Sequence, residues 1–405
     1  MSQNLENLIV VLDIGSAWTR VLAAEQNEGA LRYCGHGIVE SAGMRKGLIS
    51  ELAPAAKAVK AASEQAERVA RVNIDQCVVG VGGPHIRGLN TNGGVELGGR
   101  MREIDKEDVR SAVERARAVE RPPDREILHL LQRQFILDDQ PGIFDPVGMV
   151  GKKLEVDLHI ATCSGSAFQS IVTCANRAGL EVTEAVLEAI ASAEATLSAD
   201  ERELGVCLLD VGAHSTDIVV FFEGAVAHTG SVPIGGQHFT NDLAVGLQMP
   251  VAQAEEIKRH YGHCVVTAVP QLAEIEIANP QPQMLRLRTV AEILEPRARE
   301  LFYYIKENLR QGGVLEALGA GCVITGGGSM LPGMLDVAES LLRVPARAGV
   351  PVRLSGMPGE LVHPGFSTAI GMLLYAHRTR GNRTAESNLR SKLRAIFAGS
   401  FEAWT

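Results

Sequence analysis

A repeat narrows the fold of this chain more than any other feature. Asp13-Ile-Gly-Ser-Ala-Trp-Thr-Arg-Val is echoed far downstream by Asp210-Val-Gly-Ala-His-Ser-Thr-Asp-Ile. Each copy ends a continuous apolar run, Leu8–Asp13 and Gly205–Asp210, that reads as a buried strand. Each continues through a short polar turn into a second strand, Arg20–Glu25 or Asp217–Phe222, and then a third, Leu31–Val39 or Gly224–Pro233. A single Asp-x-Gly occurs by chance in many turns. Two copies in matching strand contexts mark a duplicated supersecondary unit, and so two similar α/β halves.

The residue types in the repeat suit anionic ligands. A glycine lets backbone approach a phosphate closely, and successive exposed amides in such a turn form an anion-binding concavity. An Asp at a strand end can hold Mg²⁺ through water, because Mg²⁺ keeps most of its hydration shell. Asp13 and Asp210 are the candidates for that role. Gly326-Gly327-Gly328-Ser329 supplies a third turn, after the short strand Gly321–Thr325 and before a helix over Met334–Leu342. A glycine-rich turn there lets a nucleotide lie against backbone. Two facing hairpins and this turn predict a nucleoside triphosphate held between the halves.

The rest of the pattern fills in this frame. Helices are predicted over Glu51–Ala70, Ala167–Ala178, Leu187–Leu197, Gly235–Leu247, Val251–Tyr261, Arg286–Gln311 and Phe366–Ala376, with a further buried strand at Gln76–Val81. Between about His85 and His159 the chain changes character. Gly-rich turns, a charged helix (Asp105–Val119) and two alternating strands (Gln132–Leu137, Lys153–His159) read as a small α+β insert. Aromatic residues make up 4% of the 405 residues, so the cores must rest on Val, Ile, Leu and Ala. A net charge of −9 argues against nucleic acid as the main partner. The seven cysteines form no CxxC pair, which suggests free thiols in a cytosolic protein. His260, His263 and Cys264 are too few for a metal site, and Ser164-Gly165-Ser166 lacks the Gly-x-Ser-x-Gly of a nucleophile elbow. The short polar start is no signal peptide, and no apolar run approaches the ~18 residues of a membrane-spanning helix.

The composition shifts again at the C-terminus. Residues 378–388 carry no apolar side chain larger than Ala and read as a flexible linker. A final helix follows, with Leu389, Leu393, Ile396, Phe397 and Trp404 on one face and Arg390, Lys392 and Arg394 beside or opposite it. Residues 378–394 carry net +5, which leaves −14 on the remainder. A basic amphipathic helix on an acidic body reads as an interfacial membrane binder.

The order of the three turns resembles the phosphate 1, phosphate 2 and adenosine motifs of the actin, DnaK-type chaperone and sugar-kinase superfamily. Within it the chain resembles the FtsA family of bacterial cell-division proteins. The likeness rests on Met44-Arg-Lys-Gly47, Asp200-Glu-Arg-Glu-Leu-Gly-Val-Cys207, Ala254-Glu-Glu-Ile-Lys258, Ser367-Thr-Ala-Ile-Gly371, the insert and the tail. It implies an actin-like fold of two duplicated ribonuclease-H-like halves. Subdomain 1A would comprise 1–84, 162–200 and 362–380; the inserted 1C, 85–161; 2A, 201–235 and 301–361; 2B, 236–300. A linker at 381–388 and a membrane-targeting helix at 389–405 complete it. Asp13, Gly15 and Ser16 match phosphate 1; Asp210, Gly212 and Asp217 match phosphate 2; Gly326, Gly327, Gly328 and Ser329 match the adenosine loop. Glu255 and Lys258 match the helix that contacts ribose and base. Glu188 falls where relatives place a water-orienting acid, although Ala189 replaces the usual Pro. Ala213-His214 replaces the usual Gly-Gly, and would crowd the phosphates if the turn needs positive φ there.

By the same resemblance the chain would bind ATP and Mg²⁺ and form filaments, while the departures at Ala189 and Ala213-His214 imply weak or absent hydrolysis. It would meet the C-terminal tail of FtsZ through subdomain 2B; the acidity of that tail, rather than any motif, suggests the basic residues Arg286, Arg288 and Arg297. It recruits later division proteins on the cytoplasmic face of the inner membrane at the septum. The competing reading is a small-molecule kinase of the same superfamily, which would need a catalytic base and an acceptor pocket.

Overall fold

The computed structural model describes residues 7–385, without 28, 119–121 and 279–281. In the first half Leu8–Ile14, Trp18–Asn27 and Ala30–Glu40 form an antiparallel meander. Gln76–Val81 joins Leu8–Ile14 in parallel, and Glu181–Leu187 joins Gln76–Val81 in parallel. In the second half Val206–Val211, Thr216–Phe222 and Ala225–Val232 form the meander, extended in parallel by Cys322–Thr325 and Ala346–Ala348. Both five-stranded sheets have the spatial order third, second, first, fourth, fifth. Registers match too, with Asp13 opposite Arg20 and Asp210 opposite Asp217. The sequence repeat is a structural duplication.

Glu181–Leu187 and Ala346–Ala348 were not expected as strands. Both lie at sheet edges, where one side is wet and the apolar signal fades; only Val186 and Leu187 of the first are buried. Leu52–Ala70 lays an alanine-rich face, Ala55, Ala62, Ala66 and Ala70, on the first sheet. Such small side chains let helix and sheet approach closely, at little entropic cost.

The insert is a four-stranded sheet, Gln140–Ile143, Arg125–Leu137, Lys153–Ser164 and Arg87–Glu96 in spatial order, covered by helix Lys106–Arg117. Asp105 caps the helix by accepting from the amides of Glu107 and Asp108. Arg87–Glu96 was missed because Asn-Thr-Asn-Gly-Gly reads as a turn. In the fold it is an edge strand, and Gly93 lies so near Ala116 that no side chain fits. The insert is pinned to both halves. His129 Nε2 accepts the Leu187 amide at 3.0 Å. His159 lies between Asn90 Oδ1 (2.6 Å) and Thr229 Oγ1 (2.9 Å), and burial lowers its pKa to about 3, so the ring is neutral.

Helices Glu188–Thr196 and Ser367–Ala385 pack against each other, and the first of them lies between the two sheets. The second runs beyond the expected end at Ala376, into the stretch read as a linker. Tertiary anchors account for this: His377 Nε2 is 3.1 Å from Gly29 O, Arg378 Nη2 donates to Glu194 Oε1 at 2.8 Å, and Arg380 Nη1 donates to Leu8 O at 2.8 Å. The rest of the tail, with its expected membrane-facing residues, lies outside the described residues.

The two helices touch backbone to backbone at Gly371, where a Cβ would fall 1.7 Å from Ala191 O. Gly371→Ala is expected to cost about 1–3 kcal/mol in urea denaturation. A loss below about 0.5 kcal/mol, the ordinary effect of a surface change, would show that the pair can spread freely.

Candidate nucleotide site

The two Asp-x-Gly turns close with the same backbone bond. Gly15 N donates to Trp18 O at 3.1 Å, and Gly212 N donates to Ser215 O at 2.9 Å. Among the described residues the amides of Ser16, Ala17, Ala213 and His214 donate no hydrogen bond. They are free for an anion. Neither Ala213 nor His214 has a positive φ, so the turn does not need Gly-Gly and the expected crowding loses its premise.

The third turn is pressed onto the second strand end. Gly326 has φ 85°, and a Cβ there would lie 2.3 Å from Asp210 Oδ1 and 2.6 Å from Val211 O. Gly328 lies equally close to Val211, while Gly327 stands open. The turn runs into one short 3₁₀ segment, Gly327–Met330, in which Ser329 Oγ donates to Gly326 O at 2.7 Å. Gly235 and Gly236 complete the cradle: the Gly236 amide donates to Gly212 O at 2.9 Å, and Gln237 N to Ala213 O at 2.8 Å. Lys258 Nζ donates to Gly236 O (3.0 Å), Thr240 Oγ1 (2.8 Å) and Glu255 Oε2 (2.6 Å), which places the expected ribose and base residues beside the glycine turns.

Four acids converge where the halves meet. Asp13, Asp210 and Asp217 are buried and Glu188 is partly buried. Asp13 accepts from Arg20 Nη1 at 3.0 Å. Asp210 Oδ2 accepts from Ser192 Oγ at 2.5 Å and Thr368 Oγ1 at 2.9 Å. Asp217 accepts the Gly83 amide at 3.0 and 3.1 Å. Glu188 opens the helix Glu188–Thr196 and lies against Gly82, whose missing side chain leaves room for Glu188 and Asp217 together.

The electrostatics follow from burial. Burial raises the pKa of Asp13, against the opposing charge of Arg20, and that of Asp210, against its two hydroxyl donors. Burial pushes Glu188 well above the usual carboxylate range, and the charges of Asp13, Asp217 and Asp210 add to the shift. Asp217 is raised to about 6. Among the described residues no three His, Cys, Asp or Glu side chains are grouped to hold an ion directly.

Several of these residues carried no signal in the sequence. Ser192 is one serine in an alanine-rich helix, and Arg20 reads as an ordinary strand residue. Gly82 and Gly83 carried no expectation, and Gly235-Gly236 read only as the start of the helix Gly235–Leu247. Arg286, Arg288 and Arg297 form no free basic patch. They pair with Glu274, Glu292 and Asp242 respectively, and Arg297 also with Glu300.

Asp217 yields a pH test. Its pKa is higher folded (about 6) than its ordinary 3.8, so ionising it destabilises the fold. The penalty is absent below about pH 4 and complete once the pH has risen past about 6. Asp217→Asn removes the charge. Without nucleotide, the variant's melting temperature relative to the parent is expected to rise between pH 5 and pH 7.5. A difference independent of pH would contradict the assignment.

Comparison with known proteins places this geometry. A family profile described as Cell division protein FtsA matches residues 207–371, and one for the SHS2 domain inserted in FTSA matches 83–162, the insert. The chain is 38% identical over 373 residues to the cell division protein FtsA of Pseudomonas aeruginosa, covering 91% of this chain and 89% of that one. It is 35% identical over 408 residues to that of Borreliella burgdorferi (98% of each) and 33% over 394 residues to that of Escherichia coli K12 (95% and 93%). Among solved structures, a chain of the PilM–PilN type IV pilus biogenesis complex superposes with TM-score 0.64 at 17% identity, covering 91% of this chain and 98% of that one. MreB5 of Spiroplasma citri bound to ADP superposes with TM-score 0.54 at 12% identity, covering 94% and 98%; bound to AMPPNP it gives 0.55 at 13%, with the same coverage. These structures share the duplicated actin-like fold. With relatives this similar over nearly its whole length, the chain belongs to the FtsA family of cell-division proteins.

Proposed function

We propose that this chain binds Mg·ATP between its two halves, polymerises in that state, and tethers the FtsZ ring to the inner face of the cytoplasmic membrane, where it recruits later division proteins. The convergence of both Asp-x-Gly turns and the Gly326 turn on one set of buried carboxylates is the observation that carries this reading. Family membership supports the division role, and the MreB5 neighbours hold ADP and AMPPNP in the same fold.

The residues fit a hydrated Mg²⁺. Asp13 and Asp210 each have one oxygen engaged, and Oδ1 of each accepts no hydrogen bond among the described residues. Positive charge there would relieve the repulsion that raises Glu188. Bound Mg²⁺ would neutralise phosphate charge and share its water shell with these carboxylates. The free amides of both turns would take the phosphates, the Gly326 turn the adenosine, and Glu255 with Lys258 the ribose and base. Glu188 is the candidate for orienting water.

The tail reading rests on its sequence. Each basic residue near an anionic leaflet contributes roughly 1 kcal/mol, so one short helix binds reversibly and a polymer of many copies binds by avidity. Residues 236–300 are the expected meeting place for the FtsZ tail. With anionic vesicles and ATP, the full chain is expected to co-sediment. A chain ending at Ala385 is expected to stay in solution while still binding nucleotide. Equal sedimentation of the two would sink the tether.

A further inference from the structure

The two Asp-x-Gly turns are alike in backbone but unlike in what holds their carboxylates. Asp13 Oδ2 takes a hydrogen bond from the guanidinium of Arg20, so its charge already has a partner. Asp210 Oδ2 takes two bonds from neutral hydroxyls, Ser192 Oγ and Thr368 Oγ1; no Lys or Arg among the described residues bonds to it, and the charge of Arg20 acts on it only from a distance. The hydroxyls stand 3.1 Å apart and converge on one oxygen. They come from different helices, Glu188–Thr196 and Ser367–Ala385, which pack against each other, the first of them between the two sheets, whereas Asp210 ends a strand of the second half. The other oxygen, Oδ1, is turned to the Gly326 turn, where a Cβ would lie 2.3 Å away.

We propose that Ser192 and Thr368 are positioning residues for the nucleotide's cation: they clamp Asp210 so that its Oδ1 faces the Mg²⁺ water shell, which makes Asp210, rather than the ion-paired Asp13, the principal carboxylate for the metal. This rests on the Mg·ATP reading above. One hydroxyl would leave the carboxylate free to swing. Two donors on the same oxygen fix its plane and aim its partner, the task that outer partners of metal-binding carboxylates perform. Neutral donors do this without cancelling the charge, as a guanidinium would. Burying a carboxylate with only neutral partners is costly, and a cation on the free oxygen offsets that cost. Thr325 Oγ1, 2.6 Å from Ser367 Oγ, ties the residue before Thr368 to the neighbouring strand and so holds the start of the clamp helix.

The test is calorimetric titration of ATP into the full chain, once with Mg²⁺ and once with EDTA. The parent is expected to bind more tightly with Mg²⁺. Ser192→Ala and Thr368→Val are each expected to shrink that gain by about tenfold, the usual worth of a hydrogen bond to a charged group, with affinity in EDTA within about threefold of the parent. Thr368→Ser, which keeps the hydroxyl, is expected to retain the gain. Asp210→Asn is expected to lose more of it than Asp13→Asn. Equal losses with and without Mg²⁺ would make the clamp merely structural and overturn the proposal, as would an unchanged gain or the reverse order of the two Asp variants. Should Thr368→Val not fold, Ser192→Ala and Thr368→Ser decide. ATP binding without any Mg²⁺ dependence in the parent overturns the clamp and leaves the nucleotide site standing; no binding under either condition overturns both.

Discussion

Four carboxylates gathered along one seam, three of them buried and Glu188 partly so, set the terms for the rest of this structure. Asp13, Glu188, Asp210 and Asp217 come from both halves and lie near enough for their charges to act on one another. Desolvation penalises each charge, and the partners supplied are few: Arg20 for Asp13, two hydroxyls for Asp210, the Gly83 amide for Asp217. The same partners join the halves. Ser192 and Thr368 reach across to Asp210, Asp217 reaches across to Gly83, and Gly326 N donates to Pro364 O at 3.2 Å. The cohesion of the cleft and its acidity therefore come from one set of contacts, in the place where a bound cation would change both.

The helix pair behind the seam carries its reach outward. Glu188–Thr196 holds Glu188 and Ser192 at the cleft, and just before it the Leu187 amide is accepted by His129 of the insert. Ser367–Ala385 begins with Thr368 on Asp210 and ends at the basic tail. On the way Arg378 lies 5.4 Å over the Tyr375 ring and bonds to Glu194 of the companion helix. Cleft, insert and tail stem thus share two helices whose backbones meet at Gly371 and Ala191.

What was legible in the sequence follows physical lines. Gln76–Val81 is a buried apolar run and was read with both ends right, as were the amphipathic helices Val251–Tyr261 and Met334–Leu342. The glycine turns were legible because only glycine tolerates the approach found at Gly326. Edge strands such as Glu181–Leu187 lacked the apolar run that marks a buried strand. Partners supplied by tertiary packing left no local trace: nothing around Ser192 or Arg20 in the chain announces that they hold the two paired aspartates. At Arg286, Arg288 and Arg297 the chain shows the charge but not the acidic partner that the fold sets beside each. Ala213-His214 misled, since it departs from the relatives' Gly-Gly without the backbone strain that such a departure suggests.

The central claim is that one nucleotide is gripped by both Asp-x-Gly turns at once. Hydrogen exchange with and without Mg·ATP reads this residue by residue, because the amides of Ser16, Ala17, Ala213 and His214 lack hydrogen-bond acceptors in the structure and exchange fast unless a ligand covers them. The account predicts that all four slow together over one range of ATP concentration. Protection confined to one turn, or arising at different concentrations in the two, would contradict it.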